Sequence, residues 1–204
     1  MLFRTLIISL LLALSALPAL GVVKSRPFSG NGLLVIRPFP PQRGDLPPLA
    51  VYREPGVERI TDLDCRELPP LAPVITAHTA EYPVAVTGKR GDWLRIAYDD
   101  AGREGWLKMP RYWEYAPWGS FLKGRGARLL PGLKKDFYLL RREPSPASQQ
   151  LETLSRQKNL RIIEIKEDWA LVLVDLSAYG WLRWRDGDGR FLISIDGRFD
   201  PQKH

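Results

Sequence analysis

Gly91-Asp92-Trp93-Leu94-Arg95-Ile96, followed by Gly105-Trp106-Leu107, decides the fold, because the chain contains the pattern twice. Its second form is Glu167-Asp168-Trp169-Ala170-Leu171-Val172, followed by Gly180-Trp181-Leu182. An alternating apolar stretch precedes each copy, Val84 and Val86 in one and Ile163 and Ile165 in the other. Alternation with period two is the signature of a half-buried strand, and a repeated block is one structural unit used twice. Val84–Thr87, Trp93–Tyr98 and Glu104–Lys108 are therefore expected as strands, with turns at Gly88–Gly91 and Asp99–Gly102. Arg161–Lys166, Trp169–Val174 and Gly180–Trp184 take the same parts in the second copy.

Upstream, Arg53-Glu54-Pro55 pairs with Arg142-Glu143-Pro144, at a wider offset than the tryptophans. The first copy thus holds about 13 extra residues, assigned to a loop over Thr61–His78 where Pro69, Pro70 and Pro73 gather. The Asp before each first Trp is suited to cap a tight turn, and the Gly before each second Trp lets a neighbour approach closely. A small sheet buries little area, so Trp93, Trp106, Trp169 and Trp181 are expected wholly or partly in the core rather than as ligand platforms.

These motifs resemble the bacterial SH3 (SH3b) family. Val51-Tyr52-Arg53-Glu54-Pro55-Gly56, Gly91–Ile96 and Gly102-Arg103-Glu104-Gly105-Trp106-Leu107 follow its order in the first copy. Leu140-Arg141-Arg142-Glu143-Pro144, Leu151–Leu154, Glu167–Val172 and Tyr179-Gly180-Trp181-Leu182 do so in the second, without the Gly before Asp168. The resemblance implies an all-β chain of two tandem SH3-like barrels of five or six strands each. It also implies binding of cell-wall (peptidoglycan) peptides. A protein-interaction or assembly module of an envelope complex is the alternative.

Outward from the repeats, Met1–Gly21 has a positive start at Arg4, an apolar run from Leu6 to Leu17, Pro18, and the small residues Ala19 and Gly21. This is the form of a secretory signal peptide, with an uncleaved anchor as the weaker reading because a spanning helix needs ~20 apolar residues. Residues 22–48 carry Pro27, Pro38, Pro40, Pro41, Pro47 and Pro48 and are read as an extended leader unable to enter a central strand. Arg37–Arg43 fits a Pro-x-x-Pro-x-Arg ligand, which makes self-docking of the leader conceivable. The resulting domains are 1–21 signal, 22–48 leader, 49–110 first module, 111–135 connector and 136–204 second module.

The net charge of +7 invites a nucleic-acid reading, but export to the periplasm or medium removes that partner. The charge is also uneven: residues 111–135 hold six basic residues against one acidic. That connector supplies most of the candidate ligand residues, Tyr112, Trp113, Tyr115, Trp118, Lys123 and Arg125, joined by Tyr179 and Trp184 of the second module. Rings stack on sugars or apolar groups and cations attract phosphates and carboxylates. The competing reading is that these rings pack between the modules.

Nothing in the chain reads as catalytic. Cys65 and His78 lack a surrounding motif, and His204 is the last residue. One Cys and two His exclude a disulfide framework and argue against a zinc site. Asp186-Gly187-Asp188-Gly189 fails the EF-hand spacing and reads as a hairpin turn with Arg190–Ile195 returning. No cofactor or metal is expected. Cys65 is expected to be buried, with pairing to another chain as the alternative.

Overall fold

The computed structural model describes residues 26–38, 46, 48–75 and 81–196. The expected signal peptide, three of the leader's six prolines (Pro40, Pro41 and Pro47), His78 and His204 lie outside these residues. Seven strands build a first antiparallel sheet: β1 (Gly32–Ile36), β2 (Leu49–Glu54), β3 (Val57–Leu63), β4 (Tyr82–Arg90), β5 (Trp93–Ala97), β6 (Glu104–Lys108) and β7 (Glu114–Pro117). Seven more build a second: β8 (Gly126–Leu129), β9 (Leu139–Arg141), β10 (Gln150–Thr153), β11 (Leu160–Lys166), β12 (Trp169–Val174), β13 (Ala178–Arg183) and β14 (Ile193–Asp196). The first sheet runs β3-β2-β6-β5-β4-β1-β7 and the second β10-β9-β13-β12-β11-β8-β14, the same order strand for strand. The chain is all-β, as expected. Each repeat has seven strands rather than five or six, and neither sheet closes into a barrel, since each order begins and ends on a different edge strand.

The repeated motif lies at the centre of each sheet. Leu94 sits opposite Leu107 and Ile96 opposite Gly105 on the packed face. In the second sheet Ala170 faces Leu182 and Val172 faces Gly180. The two glycines are there for approach: a Cβ on Gly105 would lie 2.3 Å from Val51 Cγ1, and one on Gly180 2.4 Å from Leu140 Cγ. The extra residues of the first copy fall between β3 and β4, a longer connection than that between β10 and β11. The turn expected over Gly88–Gly91 narrows to Gly91-Asp92, because β4 continues to Arg90.

Two divisions drawn from the sequence are corrected. The leader contributes β1, a central strand paired with β4 on one side and β7 on the other. Its prolines flank the strand and none falls within Gly32–Ile36, so every amide there is free to join the ladder. All five residues are buried. Leu34 and Ile36 pack with Val51, Val84, Leu94 and Leu107, whereas Leu33 and Val35 pack into the second sheet's core. A strand buried on both faces reads as an unbroken apolar run, not an alternation.

The connector is not a separate element either. Glu114–Pro117 closes the first sheet, Trp118–Leu122 forms a short helix α1, and Gly126–Leu129 opens the second sheet. Trp118, Phe121 and Leu122 are buried with Trp184, Phe191 and Ile193. From the insertion, Leu71, Val74 and Ile75 join the same cluster, and Ile195 N donates to Val74 O at 2.8 Å. The second cluster is thus shared by both repeats through β1, α1 and the insertion, while the first stays within its own repeat.

Candidate binding groove

Before entering β1, the segment Arg26–Asn31 straps across the second repeat. Ser29 N donates to Gly189 O and Phe191 N to Pro27 O, at 2.8 and 3.1 Å. The Trp118 indole donates to Ser29 O at 2.6 Å, and Arg185 reaches Gly30 O at 3.0 Å. The latch is Asp186. Its carboxylate accepts from the Asp188 and Arg190 amides at 3.0 and 2.9 Å and from the Arg26 guanidinium at 2.7 Å. Burial pushes this carboxyl upward, but the Arg190 amide and Arg26 outweigh it and hold it below the ordinary carboxylate value. Gly189 N donates to Asp186 O and Asp186 N to Arg190 O, so Asp186–Gly189 is the expected hairpin turn.

The strap forms one wall of a groove of about 520 Å³. The opposite rim is the Asp99–Gly102 turn, the floor is Val84, Ala85, Thr87 and Ala97, and the side is Pro69-Pro70-Leu71-Ala72 of the insertion. Phe28, half exposed, lies at the mouth with the Arg190 guanidinium 4.0 Å from its ring centre. Gly102 has φ +77°, and Asp99 caps the turn by accepting from the Arg103 amide at 2.9 Å. That bond holds the Asp99 carboxyl low. A smaller cavity of about 210 Å³ extends along the same proline wall to Cys65, Leu68, Tyr82 and Pro83. Burial pushes the Cys65 thiol up, which disfavours the thiolate needed for nucleophilic or metal chemistry. Among the described residues no three His, Cys, Asp or Glu side chains come together as a metal site. The groove pairs an apolar, proline-lined bed with an acidic turn on one rim and arginines on the other, an arrangement that suits a short extended peptide.

The candidate ligand residues are not brought together. Trp118 and Trp184 are 2% and 1% exposed and pack 6.1 Å apart in the second core. Trp113 is buried in the first core and donates to Arg37 O at 3.0 Å. Tyr115 is half-buried with Lys89 over its ring. Arg125, in the connection to β8, folds back on α1, over the Phe121 ring and onto Phe121 O. Lys123, Tyr112 and Tyr179 are exposed. The three tryptophans are buried, Trp113 within the first cluster and Trp118 and Trp184 within the second, because a strand and a helix occupy the place of a free connector.

Trp106 and Trp169 are buried and Trp93 and Trp181 half-buried, but the core placement expected of them is corrected. All four lie outside the two packed clusters, on the opposite faces of their sheets. The two buried rings have cationic cover: Arg90 and Arg95 lie 5.2 and 5.8 Å from the Trp106 ring, and Arg183 lies 4.9 Å from Trp169. The groove residues Arg26, Phe28, Pro69–Ala72, Asp99–Gly102 and Arg190 were not singled out by sequence. The one available signal was the short apolar run Gly32–Ile36, which places Arg26–Asn31 beside the sheet. The chain matches no known protein family, and no curated protein matches it.

Proposed function

We propose that the protein is an exported, non-catalytic binding protein of the cell envelope, periplasmic or secreted, and that its ligand is a cell-wall peptide. On this reading the two repeats are opened relatives of the SH3b barrel. The motif order and the shared central arrangement of β4, β5 and β6 with β11, β12 and β13 support that kinship. The observation that carries the function is the groove, walled by strap, prolines and the Asp99–Gly102 turn. Salt-sensitive co-sedimentation with purified peptidoglycan sacculi tests it. Ala101→Trp, on the exposed rim, is expected to abolish sedimentation without lowering the melting temperature. Unchanged sedimentation of that variant excludes the groove, and turnover of sacculi excludes a non-catalytic role.

The second reading is an assembly module of an envelope complex. It is favoured by the edge strand β3, whose outer backbone has no partner strand among the described residues. Absence of sedimentation at any salt, with an envelope protein co-purifying through β3, would support it.

A further inference from the structure

The duplication provides an internal control for the solvent face of each sheet. Three cross-strand rungs face outward on β5 and β6: Trp93 with Lys108, Arg95 with Trp106, and Ala97 with Glu104. Three match them on β12 and β13: Trp169 with Arg183, Leu171 with Trp181, and Leu173 with Tyr179. The rung farthest from the connecting turn agrees in type, Trp93 with Lys108 and Trp169 with Arg183, and so do Trp106 and Trp181. The remaining positions do not: where the first sheet holds Arg95, Ala97 and Glu104, the second holds Leu171, Leu173 and Tyr179. In the first sheet Arg95 and Glu104 form an ion pair at 3.2 Å. The fold therefore does not require apolar residues there, and an open antiparallel face is ordinarily polar.

The connecting turns differ in the same sense. The first repeat turns through Asp99-Asp100-Ala101-Gly102, and the second through Asp175-Leu176-Ser177. Leu176 is 79% exposed and has φ +59°, a left-handed conformation disfavoured for a leucine. It gains no core contact in return. Asp175 beside it is neutralised by Lys158 at 2.9 Å and accepts from the Asn159 amide. A shallow cavity of about 430 Å³ lies between Leu176, Leu173, Arg161 and Gly126.

Read from its tip, this hairpin passes from aliphatic to aromatic to cationic. Leu176 comes first, then Leu173 with Tyr179, Leu171 with Trp181, and Trp169 with Arg183. From the Leu173 rung to the Arg183 rung is four residues, roughly 13 Å of strand. Arg141, Arg161 and Lys166 pair in register with Trp181, Leu173 and Trp169, so with Arg183 four cations share the face with the single acid Glu164. A second copy laid on this face would oppose like charges. An anionic lipid surface complements it: an aliphatic tip enters the first ~5–10 Å, rings sit at the interface and cations meet phosphate.

We propose that the β12–β13 hairpin is a shallow docking site for anionic phospholipid membranes. The site is separate from the groove and does not depend on the peptide reading. Flotation of the whole protein with vesicles of phosphatidylglycerol and phosphatidylethanolamine, against phosphatidylcholine alone, tests it. Binding is expected to the anionic vesicles only, weakened but not eliminated by high salt. Leu176→Asn introduces a residue tolerant of positive φ and is expected to weaken binding about tenfold with no fall in melting temperature. Leu171→Arg/Tyr179→Glu transplants the first sheet's ion pair and is expected to abolish flotation while the protein stays folded. Any of three results overturns the proposal: no flotation with anionic vesicles, flotation indifferent to both variants, or a concentration-dependent dimer that the double variant dissolves. Loss of sacculus binding in the double variant, with flotation intact, would instead make this a wall-contacting face and overturn it too.

Discussion

Replacing Asp186 by Asn is the sharpest probe of how the strap is held. The amide oxygen still accepts from the Asp188 and Arg190 amides, so the turn keeps its cap. What is lost is the charge opposite Arg26, whose guanidinium then faces a neutral group. The Asp186 side chain is 9% exposed and that of Arg26 30%, so the pair is partly screened from water but not sealed from it. A charge-assisted hydrogen bond in that setting is worth about 1–2 kcal/mol. For a chain of this size the expected fall in melting temperature is about 2–8 °C.

The pH dependence follows from the lowered carboxyl. Its stabilisation is fully present above the unfolded aspartate range, near ~3.9, and is lost as pH falls through the still lower folded value. The gap between wild type and Asp186→Asn is therefore expected to be constant at neutral pH and to close in strong acid. Thermal melts across that range, with Arg26→Gln and the double variant, isolate the pair term. Limited chymotryptic cleavage after Phe28, in the strap, reports strap release directly. A gap that persists unchanged in strong acid, or a strap equally protected in Asp186→Asn, would refute the latch.

Other expectations are more direct. Trp118→Ala removes a 2% exposed ring at the centre of the shared core and is expected to cost about 3–5 kcal/mol, whereas Trp106→Ala removes a ring covered by arginines and is expected to cost about 1–2. Denaturant titration ranks them, and the reverse order would mean that the repeat tryptophans are the true core. Gly180→Ala is expected to cost about 1–3 kcal/mol by pressing on Leu140, and Gly180→Ala with Leu140→Val to recover part of that loss. Cys65, buried and with its thiol pushed up, is expected to resist maleimide in the native state and react at once in denaturant. Fast native labelling would place it at the surface and reopen pairing with another chain.

How much of this was legible depended on the range over which each feature is encoded. The central strands were readable because Trp93–Ala97 and Trp169–Val174 carry their alternation and turn residues locally. Register was not, and register alone decides that Trp106 lies with Arg95 on the outer face while Leu107 lies in the core. The strand β1 escaped because burial on both faces erases the period-two signal, and the surrounding prolines point the other way. The groove is assembled from three segments that read separately as leader, insertion and turn, and only the shared core brings them together.

That shared core bears on why the repeats are open. Leu33 and Val35 serve the second cluster from a strand whose alternate residues serve the first. A strand closed into its own barrel has an outer face left to solvent, whereas β1 has none. Joining the sheets through β1 enlarges the second interior with residues of the first repeat, and a small domain gains most from such enlargement because buried fraction rises with size. The consequence is testable in the chain as it stands. Val35→Asp, pointing into the second cluster from the first sheet, is expected to unfold both repeats in a single transition. Two separate transitions, with the first sheet's melt unchanged, would show that the repeats fold independently and that β1 is only a wall between them.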